Sequence, residues 1–166
     1  MQKSFISLPN TIILSPLVCF SKKRLFEEVA NHAAFIIKAP VADIVRSLNE
    51  REKFGSTALK NGIAIPHVQM RNIKETFCIL TLLQNKIFFN DVDTDPEDAD
   101  IIMTFFFSGT ENQFEAEKLL QNISEIFENE ELCASLRHSK GEPDTIAYLL
   151  KKVDVQLTNR LSLKEL

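Results

Sequence analysis

The stretch Leu48-Asn-Glu-Arg-Glu-Lys-Phe-Gly-Ser-Thr-Ala-Leu-Lys-Asn-Gly-Ile-Ala-Ile-Pro-His67 holds two of the chain's four glycines, two hydroxyl side chains and a Pro-His pair. Its apolar positions end a helix near 51–53, and the residues from 53 to 62 read as a loop. The run 63–65 is a short apolar strand stopped by Pro66, which presents His67 at the strand end. Arg51 closes the helix just before the loop, and Ser56 and Thr57 lie between the two glycines. Imidazole is a nucleophile close to neutrality at pH 7. A guanidinium offers a planar fork to phosphoryl oxygens, and hydroxyl groups with loop amides complete a phosphate cradle. The plainer reading of a lone histidine is a hydrogen-bonded structural residue.

Working outward from that stretch, residues 12–20 are apolar and β-leaning, with Pro16 marking an edge or irregular strand. Ser21 is placed to cap a helix over 22–37, carried by Leu25, Val29, Ala33 and Ile36 at helical spacing. Pro40 suits the first turn of a second helix with Val41, Ile44, Val45 and Leu48. Downstream, 77–83 and 101–107 read as buried strands, being short runs of β-branched and aromatic residues. Between them, positions 91–100 carry six carboxylates in ten residues. A calcium loop fails there: counted from Asp91, the sixth position is Pro96 rather than Gly and the twelfth is Ile102 rather than Glu. Counting from Asp93 places Asp98 and Thr104 at those positions, so the run reads as a solvated loop with no metal.

The C-terminal third is helical. Phe114, Leu119, Leu120, Ile123, Ile126 and Phe127 form one stripe, 130–138 a shorter helix, and 144–153 a last one after the Gly141-Glu-Pro143 breaker. Residues 154–166 are mixed and read as a fraying C-terminal tail on a 1–153 domain. A strand, two helices, a run of strands and then helices predict an α/β (α+β in some schemes) domain whose mixed sheet has covered faces.

The 166 residues suit one domain, and 19 basic against 23 acidic residues give a net charge of −4. That sign disfavours binding nucleic acid through its phosphates. Thirteen Phe with one Tyr and no Trp point to aromatics used in packing. No apolar run is long enough for a membrane span, and Pro9, Asn10, Ser15 and Pro16 interrupt the N-terminal stretch that a signal peptide would need. Cys19, Cys78 and Cys133 are odd in number and widely spaced, consistent with reduced thiols in a cytoplasmic protein.

The pattern Arg51-Glu52-x-x-Gly55-Ser56-Thr57 followed by Gly62-Ile-Ala-Ile-Pro-His67 resembles the active-site signature of phosphotransferase-system enzyme IIA domains of the fructose/mannitol type. Among these it is most similar to the free-standing nitrogen-regulatory members. The similarity extends from about residue 8 to 153, taking in Ser21-Lys-Lys, the turn at 88–95 and Leu132-Cys-Ala-Ser-Leu-Arg137. The resemblance implies a three-layer α/β/α fold with a mixed sheet. It implies a phosphoryl acceptor at His67, supplied by a small histidine-containing phosphocarrier protein, with Arg51 at the site and Ser56 and Thr57 binding phosphate. It implies no cofactor, and a regulatory role in which a target protein is the further partner.

Two departures accompany the resemblance. Members of the family usually carry a second histidine at the start of the helix that here begins near Phe114, and Ala116 aligns in its place. His32 and His138 match no family position. The loop reads Thr57-Ala-Leu-Lys60 where two glycines are usual, so Ala58 and Lys60 reshape the cradle, and Lys60 could add a phosphate contact. The alternative reading is a regulatory interaction module of weakened catalytic ability that binds its target regardless of phosphate. A serine hydrolase is disfavoured because no G-x-S-x-G elbow is present.

Overall fold

The structure, a computed structural model, describes residues 7–90 and 97–164. Along the chain come β1 (Asn10–Leu17), α1 (Lys22–Ala33), α2 (Val41–Lys53), a single 3-10 turn (Lys60–Gly62), β2 (Ile63–Ala64) and β3 (His67–Gln69). They are followed by β4 (Phe77–Asn90), β5 (Glu97–Phe107), α3 (Gln113–Ile126), α4 (Glu130–His138) and α5 (Pro143–Lys164). The strands form one mixed sheet in the order β1-β4-β5-β2, with β3 also on β5. β1 runs parallel to β4, β4 antiparallel to β5, and β2 and β3 both parallel to β5.

Period-two alternation sorts the strand residues between two cores. Cys78, Leu80, Leu82, Ile101, Met103 and Phe105 pack with residues of α3, α4 and α5. Phe77, Ile79, Leu83, Ile102 and Phe106 pack with α1 and α2. Both faces of the sheet are therefore covered, which is why its central strands read as continuous apolar runs. The expected three-layer α/β/α fold with a mixed sheet is the one observed.

Several boundaries differ from the sequence reading. α1 ends at Ala33 rather than 37, and the next residues close as tight turns on His32 and Ala33 carbonyls. Ile37 is thereby buried, while Ile36 turns partly outward. Ser21 does cap α1, accepting from the Arg24 amide. β4 and β5 extend well past the apolar runs, pairing Ile87 with Ala99 and Phe88 with Asp98. Of the acidic run, 91–96 lie outside the described residues. Its last carboxylate is not solvated: Asp100 sits on β5, buried and joined to Arg137. A count of carboxylates could not reveal this, because the partner lies 37 residues away on α4.

The expected tail is also revised. Helix α5 continues from 153 to Lys164. Val153 and Leu157 are fully buried, Asp154 accepts the Leu8 amide at 2.6 Å, and Arg160 pairs with Glu125. The apolar positions 146, 149, 150, 153 and 157 continue one helical stripe. Leu157→Ala should therefore destabilise the protein by roughly 2–5 kcal/mol, the cost of truncating a buried leucine. Urea unfolding monitored by circular dichroism checks this; a frayed segment would give no change in midpoint.

Candidate functional site

His67 opens β3, opposite Phe105 on β5. Pro66 separates β2 from β3, and its carbonyl still accepts the Phe105 amide at 2.9 Å. A proline has no N–H to donate, so it interrupts the ladder without uncovering a donor. The His67 Nδ1 lies 3.0 Å from the Ile65 carbonyl, an oxygen that only accepts. Nδ1 therefore carries the ring proton and Nε2 is left with its lone pair. Arg51 Nε donates to that Nε2 at 3.2 Å, and Arg51 Nη1 donates to the Gly55 carbonyl at 3.0 Å. Phe107 meets the imidazole edge-on, with ring centres 6.5 Å apart.

The imidazole opens on a cleft of about 590 Å³. One wall is the end of α2, with Ser47, Glu50, Arg51 and Phe54. The opposite wall is the first two turns of α3, with Gln113, Ala116, Glu117 and Leu120. The floor comes from β3 and Phe107. Phe54 is 90% exposed at the rim, one of several exposed phenylalanines with Phe20, Phe35, Phe88 and Phe114. Burial lowers the His67 pKa below its ordinary value of 6.5; the neighbouring Arg51 charge acts the same way, against the raising effect of the Ile65 carbonyl bond. The site therefore offers a neutral nucleophilic nitrogen beside a fixed guanidinium.

Of the residues singled out from sequence, His67 and Arg51 meet in direct contact. Ser56 and Thr57 are not among the cleft-lining residues. The Ser56 oxygen accepts the Ala58 amide at 3.1 Å. Thr57 is buried and gives its hydroxyl and its amide to one oxygen of Glu52. Glu52, whose side chain is 5% exposed, also pairs with Lys22 at 3.3 Å. Lys60 is exposed on the 3-10 turn and does not line the cleft. Ala116 does line it, as does His67. His32 and His138 lie elsewhere, exposed at the ends of α1 and α4.

Sequence reasoning passed over Glu117, Gln113 and Gln69. Gln113 has Ala116 three residues on and Glu117 four residues on as its neighbours along the helix surface, and all three line the cleft. Gln69 donates to the carbonyls of Ser108 and Glu111, both at 2.9 Å, and so ties β3 to the segment entering α3. Its place two residues after His67, on the same strand face, was the available signal.

A family model described as phosphoenolpyruvate-dependent sugar phosphotransferase system, EIIA 2, matches residues 7–152. A nitrogen regulatory protein of Pseudomonas aeruginosa is 31% identical over 137 residues, covering 82% of this chain and 85% of its own length. The crystal structure of the nitrogen regulatory protein IIA-Ntr from Neisseria meningitidis superposes with a TM-score of 0.72 at 26% identity, over 83% of this chain and 92% of that one. The mannitol IIA protein of Escherichia coli shares the fold at a TM-score of 0.66 and 17% identity, over 83% and 94% of the two chains.

A histidine held below its ordinary pKa binds its proton less readily when folded than when unfolded. Its contribution to stability is intact above pH 6.5 and is lost as pH falls from there through the lowered folded value. The His67 imidazole resonances should titrate with a midpoint below 6.5. Arg51→Ala should raise that midpoint, by removing a neighbouring positive charge and admitting water, and Arg51→Lys should raise it less. A wild-type midpoint at or above 6.5 would contradict the buried, neutral imidazole.

Proposed function

Because the chain belongs to the EIIA 2 family of the phosphoenolpyruvate-dependent sugar phosphotransferase system, we propose that it accepts a phosphoryl group on His67 Nε2 from a histidine-containing phosphocarrier protein. We further infer a regulatory role in the cytoplasm, exerted on a target protein according to the phosphorylation state. The observation that carries this reading is the pair of bonds on His67: Nδ1 to the Ile65 carbonyl and Nε2 to Arg51 Nε. No helix among the described residues is long and apolar enough to cross a membrane.

In the proposed reaction Nε2 attacks the phosphorus in line. The new N–P bond forms as the N–P bond of the donor phosphohistidine breaks, and the donor imidazole departs with that electron pair. The Nδ1 proton stays on its bond to Ile65, which supports the positive charge that the substituted ring develops. Arg51 leaves Nε2 as phosphorus approaches, and its fork turns to an equatorial phosphoryl oxygen. Catalysis of this kind is mostly placement and charge neutralisation. Ser56 accepts the Ala58 amide and so shapes the loop from outside the cleft lining. Thr57 contributes by locking the loop to Glu52.

The second reading, an interaction module indifferent to phosphate, is favoured by Ala116 in one wall of the cleft and by the exposed Phe54 on the other. Incubation with phosphorylated carrier, followed by mass spectrometry under mildly alkaline conditions, separates the two. One phosphoryl group should appear, and His67→Ala should abolish it. Arg51→Ala should slow transfer by about one to two decades, since a charge-assisted hydrogen bond is worth roughly 1.5–3 kcal/mol. Ala116→His should raise the rate or lengthen the phosphohistidine lifetime by about tenfold or more, as added acid–base or hydrogen-bonding help does. A wild-type chain that takes up no phosphate while binding a target would favour the module.

A further inference from the structure

We propose that the Asp100–Arg137 pair, which touches neither His67 nor its cleft, is a positioning device that sets the tautomer of His67. This rests on reading His67 as the phosphoryl acceptor. Arg137 sits in the last turn of α4 and Asp100 on β5. Nε of Arg137 lies 3.1 and 2.9 Å from the two Asp100 oxygens, and Nη2 lies 2.9 Å from Oδ1. The same Nη2 donates to the backbone carbonyl of Asn61. The guanidinium thus bridges α4, the sheet and the loop that follows Arg51.

The loop is shaped around that bridge. Asn61 and Gly62 both hold positive φ, 66° and 78°. Successive left-handed residues are costly unless their surroundings impose them. A Cβ on Gly62 would stand 2.6 Å from Arg137 Nη2 and 3.0 Å from Asp100 Oδ1, so the guanidinium occupies the space of a side chain. Beyond the turn, the chain folds back as a small hairpin. Leu59 N–H donates to the Ile63 carbonyl at 2.7 Å, Ile65 N–H donates to the Thr57 carbonyl at 3.0 Å, and Ala58 bridges Ala64. Glu52 holds the base of this hairpin through Thr57, and Arg137 holds its tip through Asn61.

The hairpin carries Ile65, whose carbonyl accepts the Nδ1 proton of His67. Its sheet contact is short, since β2 pairs with β5 only at Ile63–Ile101 and Ala64–Ile102. Asp100 directly precedes that ladder, so the ion pair fixes the register in which β2 meets β5. A slip of β2 would leave Asp100 and Arg137 paired but would carry the Asn61 carbonyl off Arg137 Nη2, so the bridged guanidinium favours one register through that bond. Loss of register moves the Ile65 carbonyl, and with it the proton that keeps Nε2 bare.

The test uses the full chain with Asp100→Asn/Arg137→Gln, which removes both charges together and leaves no buried unpaired ion. Nitrogen NMR of the His67 ring in the wild type should show Nδ1 protonated and Nε2 bare. The folded variant should show a mixture of tautomers. Its phosphorylation rate should fall by about tenfold or more, within the ~10²-fold that ångström-scale misplacement of a reacting group costs. Should the double variant not fold, Arg137→Lys serves instead, keeping a charge without the fork, and should show the same effects in smaller degree. A folded variant with an unchanged single tautomer overturns the proposal, whatever its melting temperature. If the wild type accepts no phosphate, the proposed function fails, while the tautomer measurement still decides this one.

Discussion

The hydrogen bond from His67 Nδ1 to the Ile65 carbonyl is short in sequence and long in its dependencies. It joins residues only two apart, across a proline that cannot donate. For both ends to be in place, β2 and β3 must each lie parallel on β5, on either side of that proline. β5 in turn is held by its long antiparallel pairing with β4. A single proton position on an imidazole therefore rests on the alignment of the sheet's central strands and on the two cores that cover them.

Around this point the protein uses buried carboxylates as fasteners. Glu52 takes the amide and hydroxyl of Thr57 on one oxygen and Lys22 on the other. Lys22 also donates to the Phe89 carbonyl at 3.0 Å and lies over the Phe89 ring. Asp100 accepts the Arg137 fork. Such groups are tolerable only because their hydrogen-bonding capacity is met within the fold. Surface pairs such as Arg24 with Glu27 and Glu28 are of a different kind, screened by water and worth little each.

The cleft is asymmetric in a way that matters for chemistry. One wall supplies the Arg51 guanidinium, whereas the opposite wall supplies the small Ala116 flanked by Gln113 and Glu117. Glu117 acts on His67 in the opposite sense to Arg51, favouring its protonated form, though more weakly than Arg51 opposes it. A phosphoryl group arriving between the walls would meet the Arg51 guanidinium with Glu50 on the same wall, and Glu117 on the other. Charge of both signs within reach of one transferred group suits a carrier, which must receive the group and also release it.

What was legible in the linear order were the local rules. Apolar runs marked 77–83 and 101–107 as buried strands, Ser21 marked a helix start, and Gly62 to His67 marked a strand delivering a histidine beside Arg51. These follow from side-chain periodicity, capping and proline geometry, which act over a few residues. The rest needed partners distant along the chain. Leu157 belongs to the core because α5 lies against α3 and the sheet. Asp100 is buried because Arg137 reaches it from α4. The Thr57 hydroxyl is taken up by Glu52, and the ring proton of His67 sits on Nδ1 because β5 holds Ile65 in reach. The amino-acid order determined which segments could become helix, strand or loop. Tertiary packing alone decided which polar groups are paired, because pairing depends on distances that a linear order does not contain.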